Sequence, residues 1–80
     1  MPQKFSLEFI LHVHGPAGES IKSALSEFGD HLEITDDTQG SGEARDFKIR
    51  IHTEDPTLVF DVCSQFGRIK SVKINEEGGL

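Results

Sequence analysis

The sequence predicts a two-layer α+β sandwich with elements in the order βαββαβ. Three observations carry this. Segments of strict apolar/polar alternation mark half-buried strands. Two segments place apolar residues at i, i+3, i+4 and i+7, the stripe of a core-facing helix. And the chain matches itself without a gap at an offset of 38, so that SEFGDHLEI from Ser26 is answered by SQFGRIKSV from Ser64.

KFSLEFILHVH opens the fold. Phe5, Leu7, Phe9, Leu11 and Val13 share one parity, and Glu8, Ile10, His12 and His14 the other, so one face is buried and one open. Gly15-Pro16 ends this strand, and Ile21, Ala24, Leu25 and Phe28 form the first helical stripe. Gly29 follows the last apolar residue, where a left-handed cap is expected. HLEITDD is a short second strand, with Leu32 and Ile34 inward, and TQGSGE is a turn. ARDFKIRIHT turns Phe47, Ile49 and Ile51 inward and Asp46, Lys48, Arg50 and His52 outward.

Asp55-Pro56 starts the second helix as N-cap and first helical residue. Leu58, Val59, Val62, Cys63 and Phe66 are its stripe, Gly67 its expected cap, and RIKSVKIN the fourth strand with Ile69, Val72 and Ile74 as anchors. Residues 1–75 thus make a single domain, and EEGGL, residues 76–80, a tail expected to be disordered. The repeat aligns Phe9 with Phe47, Ile21 with Val59, Leu25 with Cys63 and Ile34 with Val72. Two strand-helix-strand units with right-handed crossovers give the ferredoxin-like sandwich: an antiparallel four-stranded sheet in order 4-1-3-2 with both helices on one face. The expected core is the inward set of all four strands, Val72 included, closed by Ile21, Leu25, Phe28, Val59, Val62 and Phe66.

Residues 4–75 resemble ferredoxin-like modules of two kinds, ACT-type small-molecule-sensing domains and small bacterial YbeD-like proteins. FILHVHGPAGESIKSAL looks like the ACT strand, loop and first helix, and FGRIKSVKI like its glycine-ended second helix and last strand. The resemblance implies a regulatory domain, a homodimer, that binds an amino acid or other small metabolite near the first loop, with His14, Gly15, Pro16 and Gly18 as the ligand-binding positions.

Composition narrows the alternatives. Eighty residues bury roughly 60% of the unfolded chain's surface, so self-association would add useful stability. The net charge of −6 argues against nucleic acid as a partner. The charge is uneven, however: residues 1–43 hold two Lys/Arg and eight Asp/Glu, residues 44–75 six and four. The longest apolar run, Phe9-Ile10-Leu11, cannot span a membrane, and no membrane partner is expected. A single cysteine excludes an intrachain disulfide and suits a reducing, cytoplasmic setting.

The candidate chemistry is sparse. His12 and His14 stand at i, i+2 on one strand face, a ligand spacing that with Asp46 would make an incomplete metal site. The simpler reading is histidine–carboxylate pairing, with His14 beside Asp46 and His52 beside Glu8. Cys63 on the apolar stripe reads as an inert core thiol. No acid–base pair or nucleophile motif is present, so no enzyme activity and no cofactor are expected. Arg68, Lys70 and Lys73 lie on an edge strand, where they either block unwanted strand pairing or bind a protein partner. A first loop without Arg, without C-x-x-C, and an open face without aromatics exclude acylphosphatase, heavy-metal-carrier and RNA-recognition roles on the same fold.

Overall fold

The computed structural model describes residues 4–15, 18–40 and 42–77. The elements are β1 (Lys4–His14), α1 (Gly18–Ser26), β2 (Asp30–Asp36), β3 (Ala44–Thr53), α2 (Pro56–Ser64) and β4 (Arg68–Glu77). The sheet is antiparallel in the order β2-β3-β1-β4, the expected ferredoxin-like arrangement. β4 runs through Glu76 and Glu77, two residues past the boundary expected at 75, because Phe5 and Lys4 of β1 extend opposite them. Residues 78–80 lie outside the described residues.

One core joins the sheet to both helices. Leu7, Phe9, Leu11 and Val13 of β1, Ile49 and Ile51 of β3, Ile21 and Leu25 of α1, and Val59 and Cys63 of α2 are buried together. The parity of β1 and β3 read from the sequence is therefore the observed one. At roughly 25 cal/mol per Å² of apolar surface, each such aliphatic side chain contributes about 1.5–3 kcal/mol against leaving it in water. Phe60, one position after Val59 and outside the expected stripe, also packs on the core, with its ring edge-on to Phe9 at 5.3 Å between centroids. Leu58, expected on the stripe, is instead exposed.

Asp55 caps α2 as predicted. Its carboxylate accepts from the Leu58 amide at 3.2 Å, with Pro56 first in the helix. Thr53, the one buried polar residue among those described, donates from Oγ1 to the Phe28 carbonyl at 2.8 Å and accepts from the Asp55 amide at 3.1 Å. One hydroxyl thus ties the end of the first helix to the start of the second.

Two expectations about glycine fail in an informative way. Gly29 and Gly67 do not adopt the left-handed conformation of a cap; among described glycines only Gly15, Gly40 and Gly42 have positive φ. They are required by space. A Cβ on Gly29 would lie 2.5 Å from the His52 carbonyl oxygen, and one on Gly67 would overlap the His12 carbonyl oxygen. The chain leaves each helix so close to a central strand that no side chain fits.

Both edge strands carry a bulge. β2 has an extra residue between the pairs Asp30–His52 and Glu33–Arg50, and His31 there takes φ 54°. β4 has one between the pairs Lys70–Ile10 and Lys73–Glu8, and Ser71 takes φ 55°. The two bulges are 40 positions apart, against 38 for the helices and glycines, so the repeat slips by two within the last strand. Val72, aligned with Ile34 by the helix repeat and expected in the core, is 46% exposed.

Candidate functional site

The open sheet face carries two ionic clusters. Around β1 and β4, His12 Nδ1 lies 2.6 Å from Asp46 Oδ1, and Lys70 Nζ stands 3.7 Å from the same oxygen. The carboxylate can only accept, so the hydrogen is on His12 Nδ1. The His12 hydrogen bond, with the Lys70 charge adding to it, holds the Asp46 carboxyl below its ordinary value of 3.8. Around β1, β3 and β2, Glu8 lies 3.2 Å from Arg50 and 3.9 Å from Lys48, and Arg50 continues to Glu33 at 3.8 Å. These pairs are largely exposed, and each contributes little to stability.

The histidine pairing differs from the expectation by two residues. Asp46 stands opposite His12 and not His14, whose partner in the ladder is Ala44; His52 faces Ser6, and Glu8 faces Arg50. A slip of two keeps every side chain on its predicted face, so alternation alone cannot detect it. His14 packs edge-on to His12 at 5.3 Å, and His52 to His31 at 5.2 Å, at opposite ends of the face. No group of three or more His, Cys, Asp or Glu among the described residues could hold a metal ion.

The predicted ligand loop is only partly in view. Pro16 falls outside the described residues. The Gly15 amide donates to the Glu43 carbonyl at 3.1 Å, tying this loop to the β2–β3 connection, and Gly18 begins α1 against the Phe47 ring. His14 lines an open cleft of about 480 Å³ with His12, Gly67 and Arg68. That cleft joins the first and fourth strands, and only the three-dimensional pairing of β1 with β4 brings Arg68 to the histidines.

The third feature is the outer side of α2 and β4. β4 is an edge strand of ten residues. Arg68, Lys70 and Lys73 register with His12, Ile10 and Glu8, which places them on the open face. Ile74 registers with Leu7 on the helix side, yet it is 51% exposed. The exposed large hydrophobics among the described residues are Leu58, Val72 and Ile74, all in α2 and β4. Asp55, Thr57, Leu58, Phe60, Asp61, Ser64 and Ile69 line a shallow, mostly apolar cleft there.

Residues 3–76 match the family model of the FakA-like middle domain, FakA being a subunit of fatty acid kinase. The chain belongs to that family. The match spans all six elements, so the ferredoxin-like sandwich is this member's middle-domain fold. The family is distinct from the ACT-type and YbeD-like modules that the layout resembles, and what is common to them is the arrangement of strands and helices. No curated protein matches the chain. No helix among the described residues is long and apolar enough to cross a membrane.

Sequence reading found the histidines, the basic residues of β4 and its apolar anchors Ile69, Val72 and Ile74, but not the exposure of Val72 and Ile74.

Proposed function

We propose that the chain is a non-catalytic binding module that holds a partner protein on its α2–β4 side. In a FakA-like protein it would serve assembly or regulation of the kinase and leave phosphoryl transfer to other parts. The observation that carries this reading is that the exposed large hydrophobics among the described residues, Leu58, Val72 and Ile74, all lie in α2 and β4, with Arg68, Lys70 and Lys73 on the opposite face of the same strand. Exposed apolar side chains and nearby charged ones are both ordinary components of a protein interface. A family described by one subunit of a kinase agrees with work done through partners. The non-catalytic part rests on the side chains. Burial pushes the Cys63 thiol up to about 12, and the hydroxyls of Ser26 and Ser64 donate to the carbonyls of Ser23 and Asp61 in their own helices. The buried thiol also suits a reducing cytoplasm.

A photocrosslinking residue placed at Leu58 or Ile74 in cells is expected to trap a discrete partner, and one at Lys22 on α1 to trap none. Equal trapping at both sites, or none at either, would remove the reading.

A second reading, a small-molecule sensor that pairs with another copy, is favoured by the cleft at His12, His14, Gly67 and Arg68. Its cationic lining suits the carboxylate of an amino acid or similar metabolite. A thermal-shift panel of amino acids and carboxylates should then stabilise the wild type and leave Arg68→Ala unmoved. A flat response from both proteins counts against it.

A further inference from the structure

We propose that β4 takes up an extended segment of a different protein as a fifth strand, and that this segment alternates acidic and apolar residues. The inference rests on the partner-binding reading and specifies its geometry and chemistry. Among the described residues, β4 has a neighbour, β1, on one side only. Its free side offers main-chain groups to an incoming strand, the basis of recognition by strand addition. Successive side chains of an added strand point to opposite faces of the sheet. On the open face they would meet Lys70, Lys73 and Arg68. On the helix side they would meet Val72 and Ile74, with Leu58 of α2 alongside. The complement of that surface is acidic on one parity and apolar on the other. Three acidic residues bound the site: Asp46 shares Lys70 at 3.7 Å, and Glu76 and Glu77 stand at the far end, in register with Phe5 and Lys4. Arg68 and Lys73 have no ion pair to a described residue, so the attraction centres on them. The bulge at Ser71 puts one extra residue between Lys70 and Lys73, so an added strand that runs past it would meet both lysines.

A second copy is the poorer complement. Two β4 edges meeting across a two-fold axis would set the same basic stretch, Arg68 to Lys73, on both strands, with the glutamates at 76 and 77 the acidic positions of β4. β2 does carry the acidic–apolar pattern, with Asp30 and Glu33 on the open face, but its Leu32 and Ile34 already pack on the core of their own molecule. A β4-to-β2 contact is moreover head-to-tail and propagates without closing. A separate acidic–apolar segment satisfies both faces of β4 and ends the sheet.

The test uses the 80-residue chain with three synthetic octapeptides as probes: glutamate and valine alternating, lysine and valine alternating, and four glutamates followed by four valines. The amide spectrum should move, and amide exchange should slow, along residues 68–77 with the first peptide. The other two should bind at least ~10-fold more weakly, the effect of about 1.4 kcal/mol. Lys70→Glu with Lys73→Glu, both exposed and remote from the core, should reverse the preference between the first two. Equal binding of acidic and basic peptides, shifts centred on β2 or the helices, self-association through β2, or no shift at millimolar peptide would each overturn the proposal. If the peptides fail while a crosslinker at Leu58 still traps a partner, strand addition falls and partner binding stands. If both fail, both fall.

Discussion

β2 and β4 are the two edges of one sheet, and they are built on the same device. Each follows a glycine wedged against a central strand, each bulges once, and each bulge holds a non-glycine residue in the left-handed region. Counted from their bulges, Leu32 and Ile34 correspond to Val72 and Ile74, and Asp30 and Glu33 to Lys70 and Lys73. The apolar pair of β2 is packed on the core and that of β4 is exposed; the charged pair of β2 is acidic and that of β4 basic. A bulge disturbs the edge and discourages pairing between sheets. β2 adds acidic side chains and a covered inner face to that protection. β4 keeps the bulge and the lysines but leaves apolar surface open. The difference separates a strand whose inner face is covered by its own chain from one that leaves apolar surface for the proposed partner.

The comparison breaks most severely at the shared glycines. Gly67→Ala and Gly29→Ala should each destabilise the domain by about 3 kcal/mol, because the new methyl meets a backbone carbonyl that cannot turn away. In a domain this small that lowers Tm by roughly 15 °C. Similar losses in thermal unfolding would show that both strands depend on the same close approach, whereas a mild effect at either would mean that its strand can move outward.

The two inner faces give the next largest contrast. Ile34→Ala removes a half-buried side chain and should cost about 1–2 kcal/mol, while Ile74→Ala should cost less than about 0.5 kcal/mol. Denaturant titration of the pair measures the difference directly. Equal costs would mean that Ile74 is covered by its own chain, and would remove the apolar half of the binding surface.

Much of this architecture was legible before the structure was known. The helices, the parity of β1 and β3 and the strand order follow from spacing and from the repeat, because burying one face of each element leaves few alternatives. Register was not legible. Moving β1 against β3 by two residues keeps Phe9 and Ile49 inside and Asp46 and His12 outside, so Asp46 could as well have met His14. The bulges were not legible either, since neither His31 nor Ser71 is the glycine such a position favours. Nor was the exposure of Val72. Cys63, by contrast, was placed correctly in the core from its stripe alone.

The bulges themselves supply a smaller test. Ser71→Gly and His31→Gly relieve a left-handed conformation that costs an L-residue roughly 1–2 kcal/mol, against the chain entropy that glycine adds to the unfolded state. A net gain of about 0.5 kcal/mol is expected at each site in equilibrium unfolding. A loss at Ser71 alone would indicate that its side chain supports β4 in a way His31 does not support β2.

The smallest effect concerns acid. Asp30 on β2 and Asp46, which faces Lys70 of β4, are both held below the ordinary carboxylate value, Asp30 by its 2.7 Å hydrogen bond from Lys4 and Asp46 by its hydrogen bond from His12. A carboxyl whose folded value is depressed lends stability above its unfolded value near 3.8, and that stability is lost as pH falls through the folded value. Asp30→Asn and Asp46→Asn should therefore be slightly less stable than wild type at about pH 7 and should converge on it as pH falls through the lowered folded values. Both side chains are in contact with solvent, so the gaps are small and salt should narrow them. The two are not equivalent in what they touch. Asp30 engages one lysine at the fold's edge, while Asp46 links β1, β3 and β4 through His12 and Lys70. Asp46→Asn should accordingly also shift the amide resonances of Lys70 and Ser71, which Asp30→Asn should leave in place. If neither variant moves them, the acidic anchor does not reach β4, and Lys70 is as free as Lys73 to meet a partner.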